Sequence, residues 1–357
     1  MLYRSDLKIG TRLNAYGGGR GVMKSSLYKK AMEPLEYLFW KTQISVLHHC
    51  PPLLGAITTL SMGGDNSRRI WFKMLRRFAA QAPRAVFFHL RDKCKQRVVL
   101  GRLSIFATLR CTLNCDKCSV YTPDIKHKKD FPLCEMLHDI QALLACVDYM
   151  YAVTIAGGEA FLNPDLDQIL RFLHDSGKVG SICIYSNGTV VPGAAVFAEL
   201  ARTKSVVQIS KYPCTLQPNV EQLKATLNER GIPYTHESGT VWRDLGAVDQ
   251  QQLQIGSAKR HFGVCVLPLC SLYLDGKLHL CSKSAIWLRE GLIPDCKEDY
   301  IDIRTTNPDA FRGQLQKLFK RRSVSICSHC LGQSYKAPKI SVAVQRESRN
   351  CSMKEEA

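Results

Sequence analysis

The chain of 357 residues is 45% hydrophobic and 22% charged, with a net charge of +18, the balance of a folded protein large enough for two domains rather than a fibrous or low-complexity chain. Its most apolar stretch, Val46 to Met62, is interrupted by His48, His49, Pro51 and Pro52, which argues against a membrane-spanning helix. The first residues, Met-Leu-Tyr-Arg-Ser-Asp, lack the apolar core of a secretory signal, so the sixteen cysteines are expected to be reduced thiols, some of them metal ligands, in a cytoplasmic protein rather than disulfides.

Residues 1–100 are read as a basic, partly helical amino-terminal arm. Residues 1–102 hold 19 Lys/Arg against 5 Asp/Glu, whereas the remainder holds 30 against 26. Such an arm suits an acidic partner or an anionic substrate. Tyr16 to Gly21 is glycine-rich and expected to be flexible. Ser26 to Gln43 has a helical apolar face of Met32, Leu35, Leu38 and Phe39. In Arg68 to Ala80, Ile70, Trp71, Met74 and Phe78 alternate with basic residues. That helix either packs on the domain or lies on an anionic membrane surface or on RNA. Val86 to Leu90 reads as an added strand or the start of a helix.

From Leu103 the rhythm becomes strand–helix. Strands are expected at Leu103–Leu109, Ala152–Ala156, Ser181–Tyr185, Val206–Ile209 and Pro233–Glu237. Helices fit Leu133–Cys146, Pro164–Asp175, Ala194–Arg202 and Val220–Arg230, with Pro164 at the first helical position. The fold class is α/β: a partial (β/α)6 barrel resembling a TIM barrel, over residues 101–255, with its site at the C-terminal strand ends. Residues 256–333 form a small cysteine-rich extension, largely loop, with a hairpin at Leu272–Leu280 turning on Asp275-Gly276 and one helix, Pro308 to Arg321. Residues 334–357 are polar and expected to be disordered.

Three features at strand ends carry chemistry. The first strand runs into Cys111, Cys115 and Cys118, spaced C-x3-C-x2-C. Three thiolates are one short of closing a four-iron cluster, which leaves one iron free for another ligand. About forty residues on, the second strand ends in Gly157-Gly158-Glu159, where paired glycines allow close backbone approach. The third and fourth strands end in Ser186-Asn187 and Ser210-Lys211-Tyr212. Turn chemistry alone also accounts for such polar residues.

The cysteine spacing together with Gly-Gly-Glu resembles the radical S-adenosylmethionine (SAM) superfamily over about residues 100–331. The resemblance implies a 4Fe-4S cluster on Cys111, Cys115 and Cys118, and SAM held by Gly157, Gly158, Glu159, Ser186, Asn187 and Ser210. It implies hydrogen-atom abstraction by a 5'-deoxyadenosyl radical, and an electron donor such as flavodoxin or ferredoxin. No catalytic acid or base is identified; Lys211 and Tyr212 are weak candidates for facing the substrate. One departure is Lys117, where the family usually has an aromatic residue; Tyr121 is the neighbouring aromatic.

The carboxyl-terminal cysteines resemble the twitch form of a SPASM-type extension. Cys281, Cys327 and Cys330, with either Cys265 or Cys270, give four thiolates for a closed auxiliary 4Fe-4S cluster, or for a zinc ion. A closed cluster implies an electron acceptor, and hence oxidation or epimerisation of a carbohydrate-like or nucleotide-linked small molecule. The alternatives are a peptide- or protein-modifying enzyme of the same superfamily, and a zinc-stabilised nucleic-acid-binding protein. The last leaves Gly157-Gly158-Glu159 unexplained, so nucleic acid is the least expected partner.

Overall fold

The structure, a computed structural model, describes residues 50, 83, 85–238, 242–246, 255–334 and 337–346. The expected helices at Ser26–Gln43 and Arg68–Ala80 lie outside these residues. Residues 85–94 are helical, which settles the Val86 to Leu90 stretch as helix.

The strands are β1 (Val99–Leu100), β2 (Leu103–Thr108), β3 (Tyr149–Met150), β4 (Val153–Gly157), β5 (Ile182–Ser186), β6 (Val206–Ser210), β7 (Tyr234–Ser238), β8 (Trp242–Arg243), β9 (Ser271–Leu274), β10 (Lys277–His279), β11 (Tyr300–Asp302) and β12 (Lys339–Ile340). The later helices are α1 (Leu133–Cys146), α2 (Leu166–Asp175), α3 (Ala194–Arg202), α4 (Val220–Glu229), α5 (Ile255–Phe262), α6 (Ser282–Arg289) and α7 (Pro308–Phe319). One mostly parallel sheet, ordered β11-β10-β9-β2-β4-β5-β6-β7, organises the molecule. Among the described residues its edges, β7 and β11, do not pair with each other, as an open barrel requires.

Register divides the sheet into two unlike faces. Leu103, Ile105, Val153, Ile155, Ile182, Ile184, Val207 and Ile209 are buried in one cluster with Met136, Ile140 and Leu143 of α1 and Ile169, Leu170 and Leu173 of α2. Each such side chain contributes about 1.5–3 kcal/mol on burial, so this helix-covered face carries the stability. The alternate residues line the other face. Pairing sets Ser104 level with Thr154 and Thr154 level with Cys183. Tyr185 is level with Gln208, and Gln208 with Thr235. The inner face therefore carries polar side chains, Ser104, Thr154, Tyr185, Gln208 and Thr235, among apolar ones such as Phe106 and Ala156.

Three expectations are corrected. The sixth parallel strand is β9, the first arm of the Leu272–Leu280 hairpin, and it pairs with β2 at the side of the sheet away from β7. All four residues of β9 are buried, and an apolar strand of that kind is stable only between neighbours. The stretch read as loop with one helix also holds α5 and α6. In α6, Lys283 to Trp287 are buried in an unbroken run, which leaves no amphipathic period to recognise. Finally, the tail read as disordered is ordered over residues 337–346, where β12 pairs with β8.

Candidate active site

The cysteine loop is held by β4. Gly158 N donates to Thr108 O at 3.0 Å and Glu159 N to Arg110 O at 2.8 Å. A Cβ on Gly157 would stand 2.1 Å from Thr108 O, and one on Gly158 2.1 Å from Arg110 O. The paired glycines are thus required first by contact between the two backbones, rather than by approach to a ligand alone. Gly157 also has φ +138°, which a side chain rarely tolerates. Arg110 fixes the loop from outside through Asp130, at 3.1 and 2.6 Å. Lys117 and Tyr121 take left-handed φ angles of 53° and 57°, a tight curl on either side of Cys118.

Cys115 is buried and Cys111 and Cys118 are half-buried, all with free thiols. Burial pushes the Cys111 thiol up to about 11, and nearby Glu159, Cys118 and Cys115 push the same way. The three sulfurs therefore share one electrostatic environment in which negative charge would accumulate on ionisation. Leu113 N hydrogen-bonds Cys111, as does Asn187 Nδ2 at 3.5 Å.

Glu159 is fully buried. Its Oε1 accepts from Phe161 N at 3.1 Å and Ser186 Oγ at 2.9 Å, and its Oε2 from Asn187 N at 2.6 Å. Burial raises its pKa to about 7 against the effect of these donors. Asn187 also reaches Thr112 Oγ1 at 3.1 Å, tying the end of β5 to the cysteine loop. Ser210 hydrogen-bonds Tyr212, and Tyr212 lies within electrostatic range of all three cysteines; its ring stacks edge-on against Trp242. Lys211 is exposed.

Sequence reading missed the cover on this loop. Asp116 N donates to Val344 O, Arg346 N to Asn114 O at 2.8 Å, and Gln345 Nε2 to Cys115 Sγ at 3.1 Å. Arg346 closes the strap on Asp116 and Asp124. A polar tail carries no periodicity, so nothing in the sequence flagged it.

The carboxyl-terminal cysteines divide. Cys265, Cys281, Cys327 and Cys330 line one small cavity with Phe262, Pro268 and Ile326. Every one of these sulfurs faces a backbone N–H: Gln333 N to Cys265 at 3.3 Å, Gly332 N to Cys330 at 3.3 Å, Val324 N to Cys327 at 3.5 Å, and Lys283 and Ser284 N to Cys281. Amides aimed at sulfur suit thiolate ligands. Cys270 is elsewhere, 2.9 Å from Ser104 Oγ on the inner face, so of the two candidates Cys265 joins the group. Among the described residues no three His, Cys, Asp or Glu side chains converge on a single-ion site.

Lys283, also unflagged by sequence, is fully buried beside this group. Its Nζ donates to Leu245 O at 2.8 Å and Gly246 O at 3.1 Å and lies over the rings of Trp287 and Tyr121. Tyr121 stacks edge-on against Trp287 and donates to Gly246 O at 3.0 Å. It is committed to the layer between the two cysteine groups, and lies within electrostatic range of Cys330 and Cys118. Lys117 pairs with Asp244 at 3.4 Å.

No protein-family model matches the chain, and no curated protein matches it. Among solved structures it is similar to native anSMEcpe with bound AdoMet, with a TM-score of 0.43 and 11% identity over 66% of this chain and 89% of that one. BtrN in complex with AdoMet and 2-DOIA gives a TM-score of 0.37 and 12% identity over 64% and 92%. Streptococcus suis SuiB bound to S-adenosylmethionine gives 0.33 and 17% over 47% and 43%. The chain also spans 43% of the anSMEcpe chain that carries AdoMet and the Cp18Cys peptide.

Proposed function

We propose that this chain is a radical SAM enzyme that abstracts a hydrogen atom from a small molecule in order to oxidise or epimerise it. The observation that carries the reading is the junction of the Cys111–Cys118 loop with Gly157-Gly158-Glu159 through two backbone hydrogen bonds, at the C-terminal ends of parallel strands. A 4Fe-4S cluster on Cys111, Cys115 and Cys118 would supply the electron that cleaves SAM.

The protein's own part is positioning. A carboxylate has about four acceptor sites, and Glu159 has three donors, so its Oε2 retains one for the methionine ammonium. An arriving cation favours the ionised carboxylate. Asn187 orients Thr112 and Cys111 from the side. Ser210 and Tyr212 border the cysteines from β6, where they suit the ribose and substrate. In the second group, Cys265, Cys281, Cys327 and Cys330 fit a closed auxiliary cluster, which has no open iron and suits electron acceptance. Lys283, Tyr121 and Trp287 fill the space toward the first group, and an electron donor such as flavodoxin or ferredoxin completes the cycle.

Anaerobic reconstitution tests the reading. Two clusters predict a brown protein with about eight irons that releases 5'-deoxyadenosine when reduced with SAM. Replacing Cys111 by Ala should abolish that release and leave about four irons. A colourless protein that binds only zinc would end the radical reading in favour of a structural metal module.

A further inference from the structure

Arg102 stands immediately before β2 and points along the inner face of the sheet. Its Nε donates to Thr154 Oγ1 at 3.2 Å and its Nη2 to Tyr185 Oη at 3.4 Å; its guanidinium lies beside the Tyr185 ring. Arg110, Arg171, Arg304 and Arg346 are each paired with a carboxylate. Arg102 has no such partner among the described residues. A guanidinium has five N–H donors, and the hydrogen bonds to Thr154 and Tyr185 use two of them. Placing an arginine on a largely covered sheet face costs desolvation that two neutral hydroxyls do not return.

The surroundings are built to the same end. The inner face is half-exposed at Arg102, Ser104, Tyr185, Ser210 and Thr235, whereas the helix-covered face is sealed. Thr235 Oγ1 is buried on that inner face without a hydrogen-bond partner among the described residues. Six residues of strand, about 20 Å, separate Arg102 from Thr108 beside the cysteine loop, and the Arg102 side chain covers part of that span by reaching Tyr185.

Building on the proposed function, we infer that Arg102, with the Tyr185 and Thr154 hydroxyls, anchors an oxyanion of the substrate, a carboxylate or a phosphate. The substrate then lies along the inner face with its charged end toward the start of β2 and its reacting carbon toward the cysteine loop. The planar fork of a guanidinium matches both oxyanions in bidentate geometry.

The test is calorimetric titration of the full-length protein with inorganic phosphate and, separately, with succinate, for the wild type, Arg102→Met and Arg102→Lys. The expected result is one saturable site for at least one anion, weakened about tenfold or more in Arg102→Met and partly retained in Arg102→Lys. The stronger of the two titrations identifies the group. Unchanged melting, cluster absorbance and substrate-free release of 5'-deoxyadenosine in both variants confirm that the fold and the radical site are intact. Wild-type binding of neither anion, or Arg102→Met binding within about twofold of wild type, overturns the inference. Arg102-dependent binding in a protein that neither holds iron nor cleaves SAM preserves the anion site and removes the radical reading.

Discussion

Glu159 is held by three hydrogen bonds and still has its pKa raised to about 7 from an ordinary value near 4.5, because burial outweighs those donors. The folded chain therefore binds this proton more tightly than the unfolded chain does. The resulting stability is fully present below the ordinary value and is lost as pH rises through about 7. Chemical denaturation of the iron-free protein should show a loss of about 3 kcal/mol across that window, and Glu159→Gln should flatten the slope. An equally steep slope in the variant would assign the effect to another group. The glutamate and the glycines before it were legible as a motif. The packing of Gly158 against Arg110 was not, because a contact between two loops leaves no mark in either segment alone.

Helices α1 and α3 were readable to the residue, since Met136, Ile140, Leu143 and Leu144, and Val196, Phe197 and Leu200, recur at helical spacing toward the core. The Asp275-Gly276 turn was also legible. What the hairpin docks on was not, because strand pairing depends on tertiary partners. Its attachment is explicit in the structure. Asp139, buried on α1, accepts from Tyr273 Oη of β9 at 2.7 Å and from Arg304 Nη2, just beyond β11, at 2.7 Å. Asp139→Asn should cost about 2 kcal/mol in unfolding free energy, since it removes the charge while leaving Arg304 and Tyr273 in place. The loss should vanish in the background of Arg304→Gln with Tyr273→Phe; a full additive loss there would place the role of Asp139 elsewhere.

Across the molecule, the inner face of the sheet, the two cysteine groups and the strap of residues 337–346 meet at one end. The strap was invisible to pattern reading because it works through single bonds, such as Gln345 to Cys115, rather than through an apolar stripe. On the proposed reading Cys115 is a cluster ligand, and a hydrogen bond to a ligating sulfur raises a cluster's reduction potential. Truncation after residue 334 should therefore lower the potential measured by redox titration and speed alkylation of Cys115, with the helix content of the barrel unchanged. A truncated chain whose Cys115 reacts no faster would mean that the strap does not cover the loop. The same contact bears on biogenesis. Residues 337–346 leave the ribosome after the barrel, so the Cys115 sulfur is uncovered while the chain is being made and gains its cover only afterwards. A reagent or partner that needs the Cys115 sulfur bare therefore meets it most readily during translation, before Gln345 is made.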